Sequence, residues 1–91
     1  MHKIEIGYKL RVINDKPLKH NDVAPPLVVG NTVEAKQIHI CKCGQDHIDV
    51  GLVSQYKYVR CYKCAKELPN GDTIHWCHPT RFEIVIGKNP L

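Results

Sequence analysis

Apolar and polar residues alternate strictly at the start of the chain. Ile4, Ile6, Tyr8, Leu10 and Val12 fall on one face, and Lys3, Glu5, Gly7, Lys9 and Arg11 on the other. That is the period of a strand with one face buried. The stretch "NDKPLKHNDVAPP", Asn14 to Pro26, is rich in proline, asparagine and aspartate and predicts a long loop. Loops of that length in a small domain are often functional.

The apolar pattern resumes in "LVVGNTVEAKQIHI" around a Gly30-Asn31 turn signal, and its parity changes midway. Val33 and Ala35 share one face, while Ile38 and Ile40 take the other register. A bulge near Lys36 and Gln37 would reconcile the halves and let the strand bend. "HIDVGLV" alternates again, with Ile48, Val50 and Leu52 on one side. "LPNGDT" carries an Asn70-Gly71 tight-turn signature. "TIHW" and "RFEIVIG" close the chain, with Phe82, Ile84 and Ile86 on one face. No helical period of useful length occurs. The expected fold is all-β: a small curved sheet or barrel of about five strands with a zinc-knuckle insertion. No repeat or composition shift divides residues 1–91, so they read as one domain.

Size changes how this pattern is read. A chain of 91 residues buries a limited share of its surface, and domains this small often need a disulfide or a metal. Five cysteines are candidates. The first residues, "MHKIEIGYKLRVIND", lack the continuous apolar core and cleavage site of an export signal. No apolar run approaches the roughly 20 residues of a membrane span. The expected location is therefore cytoplasmic, where clustered cysteines point to metal rather than to disulfides.

Four of the cysteines form two close pairs. Cys41 and Cys43 lie in "CKCGQDH", and Cys61 and Cys64 in "CYKC". Tetrahedral structural zinc is commonly held by two such pairs brought together by the fold. Gly44, directly after the first pair, fits a tight knuckle in which backbone amides turn toward a thiolate. The C-x2-C spacing is standard, whereas C-x-C is tighter. A disulfide within C-x-C would be strained, and a thioredoxin-like role for "CYKC" requires a βαβ context that is absent. One structural Zn2+ on Cys41, Cys43, Cys61 and Cys64 is the expectation. His47 is a reserve ligand, able to stand in for Cys43. Cys77, between His75 and His78 in "HWCHPTRF", could replace one of the four ligands, join His47 in a second site or act as a nucleophile, and its plainer reading is a packed thiol.

A four-thiolate site has no open coordination position and is a poor Lewis acid. Glu67 and Glu83 are the only later glutamates, and neither sits in a metalloprotease or deaminase motif. The chain therefore reads as a non-enzyme with no small-molecule substrate. The formal charge of +4 counts cysteines as neutral. Four thiolates around a divalent ion together remove two charges, so net charge alone does not point to nucleic acid.

Two partner classes remain. A protein partner is the first expectation, because small barrels bind through edges and loops and the Asn14-to-Pro26 loop is available. The alternative is single-stranded nucleic acid. "QYKYVRCYKCAK" interleaves Tyr56, Tyr58 and Tyr62 with Lys57, Arg60 and Lys63, and aromatic rings beside cations are what such binders use. The plainer reading has Tyr56 and Tyr58 filling a half-buried strand face. Exposed apolar residues would favour a protein partner. A continuous basic face including Arg11, Lys57, Arg60 and Lys63 would favour nucleic acid. Trp76 is expected to pack beside the metal site and exclude water. Arg81 could bond a knuckle carbonyl or face solvent.

The cysteine pattern, Val50-Gly51-Leu52, Trp76 and Arg81-Phe82 together resemble a group of short uncharacterised bacterial and phage-borne proteins. These carry a C-x-CG pair, a V-G-L strand, a C-x2-C pair, a tryptophan and a closing R-F. The resemblance spans residues 27 to 85 and implies a small Src-homology-3-like barrel bearing a zinc-ribbon-like knuckle pair. It implies no activity. Cys77 and the Asn14-to-Pro26 loop stand outside the shared pattern.

Overall fold

The alternation at the start of the chain is interrupted by a turn. In the computed structural model, which describes residues 3–16, 26–61 and 63–86, Gly7 takes φ +93°. The Gly7 amide reaches the Ala35 carbonyl at 2.8 Å, and the Tyr8 amide donates back to Glu5. The first strand, β1, therefore covers only Lys9–Val12. Leu10 and Val12 point into the core as their period requires, as does Ile4 before the turn, but Ile6 is left 63% exposed.

Strand β1 is the centre of a three-stranded antiparallel sheet. On one side lies β2, Thr32–Glu34, and on the other β5, Phe82–Ile86. Leu10 faces Val33 and Ile84, and Val12 faces Phe82. On the outer face Arg11 stands opposite Glu83 and pairs with it. Both side chains are about half exposed, so the pair contributes about 0–1 kcal/mol.

The parity change has a larger cause than a bulge. The Ala35 amide donates to Tyr8 in the first sheet at 2.9 Å, and the next amide, Lys36, donates to Asp49 at 2.7 Å in a second sheet. That sheet is the antiparallel hairpin of β3, Gln37–Ile40, and β4, Asp46–Asp49. One strand-like stretch thus serves two sheets in succession. Ala35 is fully buried at the crossing, where a larger side chain would have no room.

Residues 41–45, which contain the first cysteine pair, form the loop of this hairpin. Strand β4 is paired along both edges: Ile48 exchanges two 2.8 Å backbone bonds with Cys77 on the edge away from β3. Both faces of the strand are covered as well, so His47 and Asp49 are buried alongside Ile48 and Val50. Further isolated pairings, Val53 with Ile74 and Arg60 with Glu67, carry the chain through the second cysteine pair. A 3-10 turn, Pro79–Arg81, capped by the His78 ring, leads into β5.

The fold is all-β as expected, with five strands in two small antiparallel sheets among the described residues. The sheets do not close, so the barrel alternative gives way to a pair of open sheets joined at Ala35 and Lys36. Two apolar clusters fill them. One holds Leu10, Val12, Ala35, Ile48, Val50, Cys77 and Phe82, and the other holds Cys41, Cys61, Leu68 and Trp76. Arg81 neither meets a knuckle nor faces solvent. It is 1% exposed, and Nη1 donates to the carbonyls of Lys16 at 2.7 Å and Asn14 at 3.4 Å. It thereby holds the start of the predicted Asn14-to-Pro26 loop, of which residues 17–25 lie outside the described residues. No helix among the described residues is long and apolar enough to cross a membrane.

Candidate metal centre

The two cysteine pairs are held by loops built alike. In the first, the Gly44 amide donates to the Cys41 carbonyl at 2.8 Å and the Cys41 amide to the Gln45 carbonyl at 3.0 Å. In the second, the Ala65 amide donates to the Cys61 carbonyl and the Cys61 amide to the Lys66 carbonyl, both at 2.8 Å. The second loop is the first with one residue added between the cysteines. Each turns through a left-handed residue directly after its second cysteine: Gly44 at φ +90° and Ala65 at φ +61°. Gly44 carries the conformation that its place after C-x-C predicts.

The loops bring all four sulfurs together. Sγ of Cys41 lies 3.0 Å from Cys64 and 3.5 Å from Cys43, and Sγ of Cys43 lies 3.7 Å from Cys61. All four Sγ atoms fall within 4.8 Å of one another. A tetrahedron with metal–sulfur arms of about 2.3 Å has edges of about 3.8 Å, so the cluster has the size of a single four-thiolate site. None of the cysteines is disulfide-bonded.

The cluster is dry on one side and open on the other. Cys41 and Cys61 are buried against Leu68 and Trp76, with Val59 and Ile74 beside them, while Cys64 is half-buried and Cys43 exposed. The indole is fixed by its Nε1, which donates to the Pro69 carbonyl at 2.8 Å, and the His39 ring lies 6.0 Å from it. Trp76 thus covers the buried sulfurs, as expected. Leu68 and Ala65 did not stand out in the sequence. The position of Ala65 after "CYKC", matching Gly44 after "CKC", was the available signal.

Among themselves the sulfurs share protons unequally. The Cys43 amide favours the Cys41 thiolate, but thiol contacts from Cys64, Cys43 and Cys61, together with burial, push Cys41 up to about 12. Cys64 is drawn down to about 7, chiefly because the Cys41 thiol donates to it, with the Lys66 amide helping. Burial pushes Cys61 up against the pull of the Cys64 and Lys63 amides. Amides aimed at sulfur in both loops prepare the site for thiolates, and a divalent cation would displace the remaining protons.

The reserve ligands stand apart. His47 lies across the hairpin from His39 and is 4% exposed, with Nε2 lacking a hydrogen-bond partner among the described residues, and is not among the four clustered donors. Burial first, then the charges of His78 and His39 against the opposing pull of Asp46, lowers its pKa to about 4. Cys77 is packed in the other apolar cluster with its Sγ 3.5 Å from the His75 carbonyl, and His75 and His78 likewise fall outside the donor group.

The suggested nucleic-acid residues are largely on the surface. Tyr56 and Tyr58 are 48% and 47% exposed and lie in no strand, so they do not fill a half-buried strand face. The Arg60 guanidinium sits 4.6 Å over the Tyr58 ring. Lys57 and Lys63 are exposed, and Tyr62 lies outside the described residues. Arg11 is engaged with Glu83 on the three-stranded sheet and does not extend this surface. Compared with protein-family models, curated proteins and solved structures, the chain matches none.

Proposed function

We propose that the chain is a small non-enzymatic zinc module of the cytoplasm, in which one structural Zn2+ on Cys41, Cys43, Cys61 and Cys64 fixes a surface that binds a macromolecular partner. The convergence of four sulfurs from two matched loops carries this reading. A tetrahedral all-sulfur donor set suits zinc or iron among the common metals. Four protein ligands leave no position for water or substrate, which is the arrangement of structural rather than catalytic zinc.

The loops are separated by strand β4 and the residues that follow it, so the ion would tie together two distant stretches of a domain with a small core. Apparent binding free energies of structural zinc in small peptides are about 10–16 kcal/mol, comparable to the whole stability of a small domain.

Metal analysis of protein from a zinc-supplemented culture tests the reading. One colourless zinc per chain is expected, and a chelator should abolish the near-ultraviolet circular dichroism of Trp76 together with the cooperative melt. A chelated protein that keeps both would overturn the structural role, and a coloured iron centre would overturn the choice of zinc.

A further inference from the structure

We infer that the surface beside the second cysteine loop, centred on Tyr56, Tyr58 and Arg60, binds single-stranded nucleic acid. The inference rests on the proposed zinc module and names its partner.

Three observations converge there. The rings are exposed yet held. The buried Ser54 bonds the Tyr56 backbone through its hydroxyl at both the amide (3.2 Å) and the carbonyl (3.3 Å), and the Tyr56 ring meets His75 edge-on at 6.4 Å. The backbone at Tyr58 and Val59 is pressed against Gly71, where an added Cβ would lie 2.4 Å from the Val59 nitrogen. Exposed aromatic side chains on a fixed backbone can receive a base without a large ordering cost.

The charge is one-sided. From Val50 to Lys66 the chain contains Lys57, Arg60, Lys63 and Lys66 and no acid, and all four cations are exposed. Lys42 adds an exposed cation on the first loop. These outnumber the two negative charges of a four-thiolate zinc centre and the two exposed acids at the rim, Glu67 opposite Arg60 and Asp72 beside Gly71, leaving a net positive surface. A polyanion complements it.

The geometry suits bases better than a protein core. Lysine is depleted at the centres of protein interfaces, whereas here the exposed Lys57 lies between Tyr56 and Tyr58. The Arg60 guanidinium covers one face of the Tyr58 ring, and its own outer face is a surface on which a base can stack. A shallow recess bounded by Pro26, Val53, Gln55, Tyr56 and His75 adjoins it and offers mixed polar and apolar walls. Arg11 is engaged with Glu83 and Val53 stands 73% exposed beside the recess, so the inference rests on the held rings and the nearby cations and not on a basic face that continues to Arg11.

The test uses the full zinc-loaded chain and fluorescein-labelled 12-mers of mixed-sequence RNA and DNA, followed by anisotropy. Micromolar binding is expected, falling about 50-fold between 50 and 200 mM salt for roughly four phosphates neutralised. Tyr56→Ala and Tyr58→Ala should each weaken it about 5-fold or more, and Lys57→Gln should reduce the salt slope by about 0.7. Zinc content and circular dichroism of every variant serve as controls, and Lys63→Gln replaces any tyrosine variant that loses its metal. No binding at 50 mM salt by protein holding one zinc would overturn the inference while leaving the zinc reading intact. Protein that holds no zinc and remains folded would instead remove the reading beneath it. Binding unchanged by all the substitutions, or a nuclease-resistant protein partner lost with the tyrosines, would also overturn the nucleic-acid assignment.

Discussion

Ala65 repeats the backbone of Gly44. Both take a left-handed φ one residue past the second cysteine of a loop, and both amides bond back to the first cysteine's carbonyl. The two positions are not equally comfortable. A left-handed alanine costs about 1–2 kcal/mol, while glycine costs about 0.4–1 kcal/mol more chain entropy on folding. Ala65→Gly should therefore raise stability by roughly 0.5–1 kcal/mol, a gain of a few degrees in Tm for a domain of this size. Gly44→Ala should lower it by about 1 kcal/mol for conformational reasons alone, since an added Cβ there meets nothing within 4 Å. Thermal melts of the zinc-loaded variants decide it, and equal shifts of the same sign would contradict the matched loops.

Gly71 is constrained by space rather than by φ. An added Cβ would meet the Val59 nitrogen at 2.4 Å and Tyr58 backbone carbons at 3.1 and 3.2 Å. Backbone cannot rotate aside as a side chain can, so Gly71→Ala should cost about 3 kcal/mol, the upper part of the overpacking range. Urea midpoints measured beside those of Gly44→Ala should show the larger loss at Gly71. A smaller loss would mean that the segment bearing Tyr58 is not held against this turn.

Cys77 and Cys61 are equally buried, at 1% exposure each, but lie in different clusters. Cys61→Ala should weaken zinc binding by well over 100-fold, more than the loss of an outer-shell partner. Cys77→Ala should leave one zinc per chain and cost only about 1 kcal/mol of packing. Competition with a chromophoric chelator separates the two. A Cys77→Ala protein that loses its metal would restore Cys77 to the ligand set.

Much of this was legible because it is local. The cysteine spacing, Gly44 and the Asn70 turn, at φ +54°, are decided within a few residues. The inward positions of Leu10, Val12, Ile48, Val50 and Phe82 follow from period two. What stayed hidden depends on distant chain. Ile6 loses its place because Gly7 turns to meet Ala35. His47 and Asp49 are buried because both faces of β4 are covered in the fold, which alternation cannot reveal. The parity change at Lys36 was visible, but its cause, a passage between sheets, required both partners, Tyr8 and Asp49. The role of Arg81 was open between a knuckle carbonyl and solvent, because only the fold supplies the carbonyls of Asn14 and Lys16 that satisfy it.

His47 gives the chain a specific acid sensitivity. Its ring is buried with Nε2 unpartnered, facing His39 across the hairpin, with His78 and Asp46 as the other charged neighbours that shift it. Its folded pKa of about 4 lies below the ordinary value of about 6.5, so between these two the unfolded chain binds the extra proton. Stability is therefore nearly complete above about pH 7 and falls as pH drops toward 4, by at most about 1.4 kcal/mol per unit, or about 2 kcal/mol from pH 7 to 5. Acid also protonates thiolates and releases metal, but that loss is common to wild type and a His47 variant. His47→Leu fills a similar volume without a buried nitrogen, so it should match or exceed wild type at pH 7 and lose less stability by pH 5. The difference between the two urea-midpoint profiles isolates the histidine. Parallel profiles would show that His47 takes up no proton on unfolding, and the acid response would then belong to the cysteines alone.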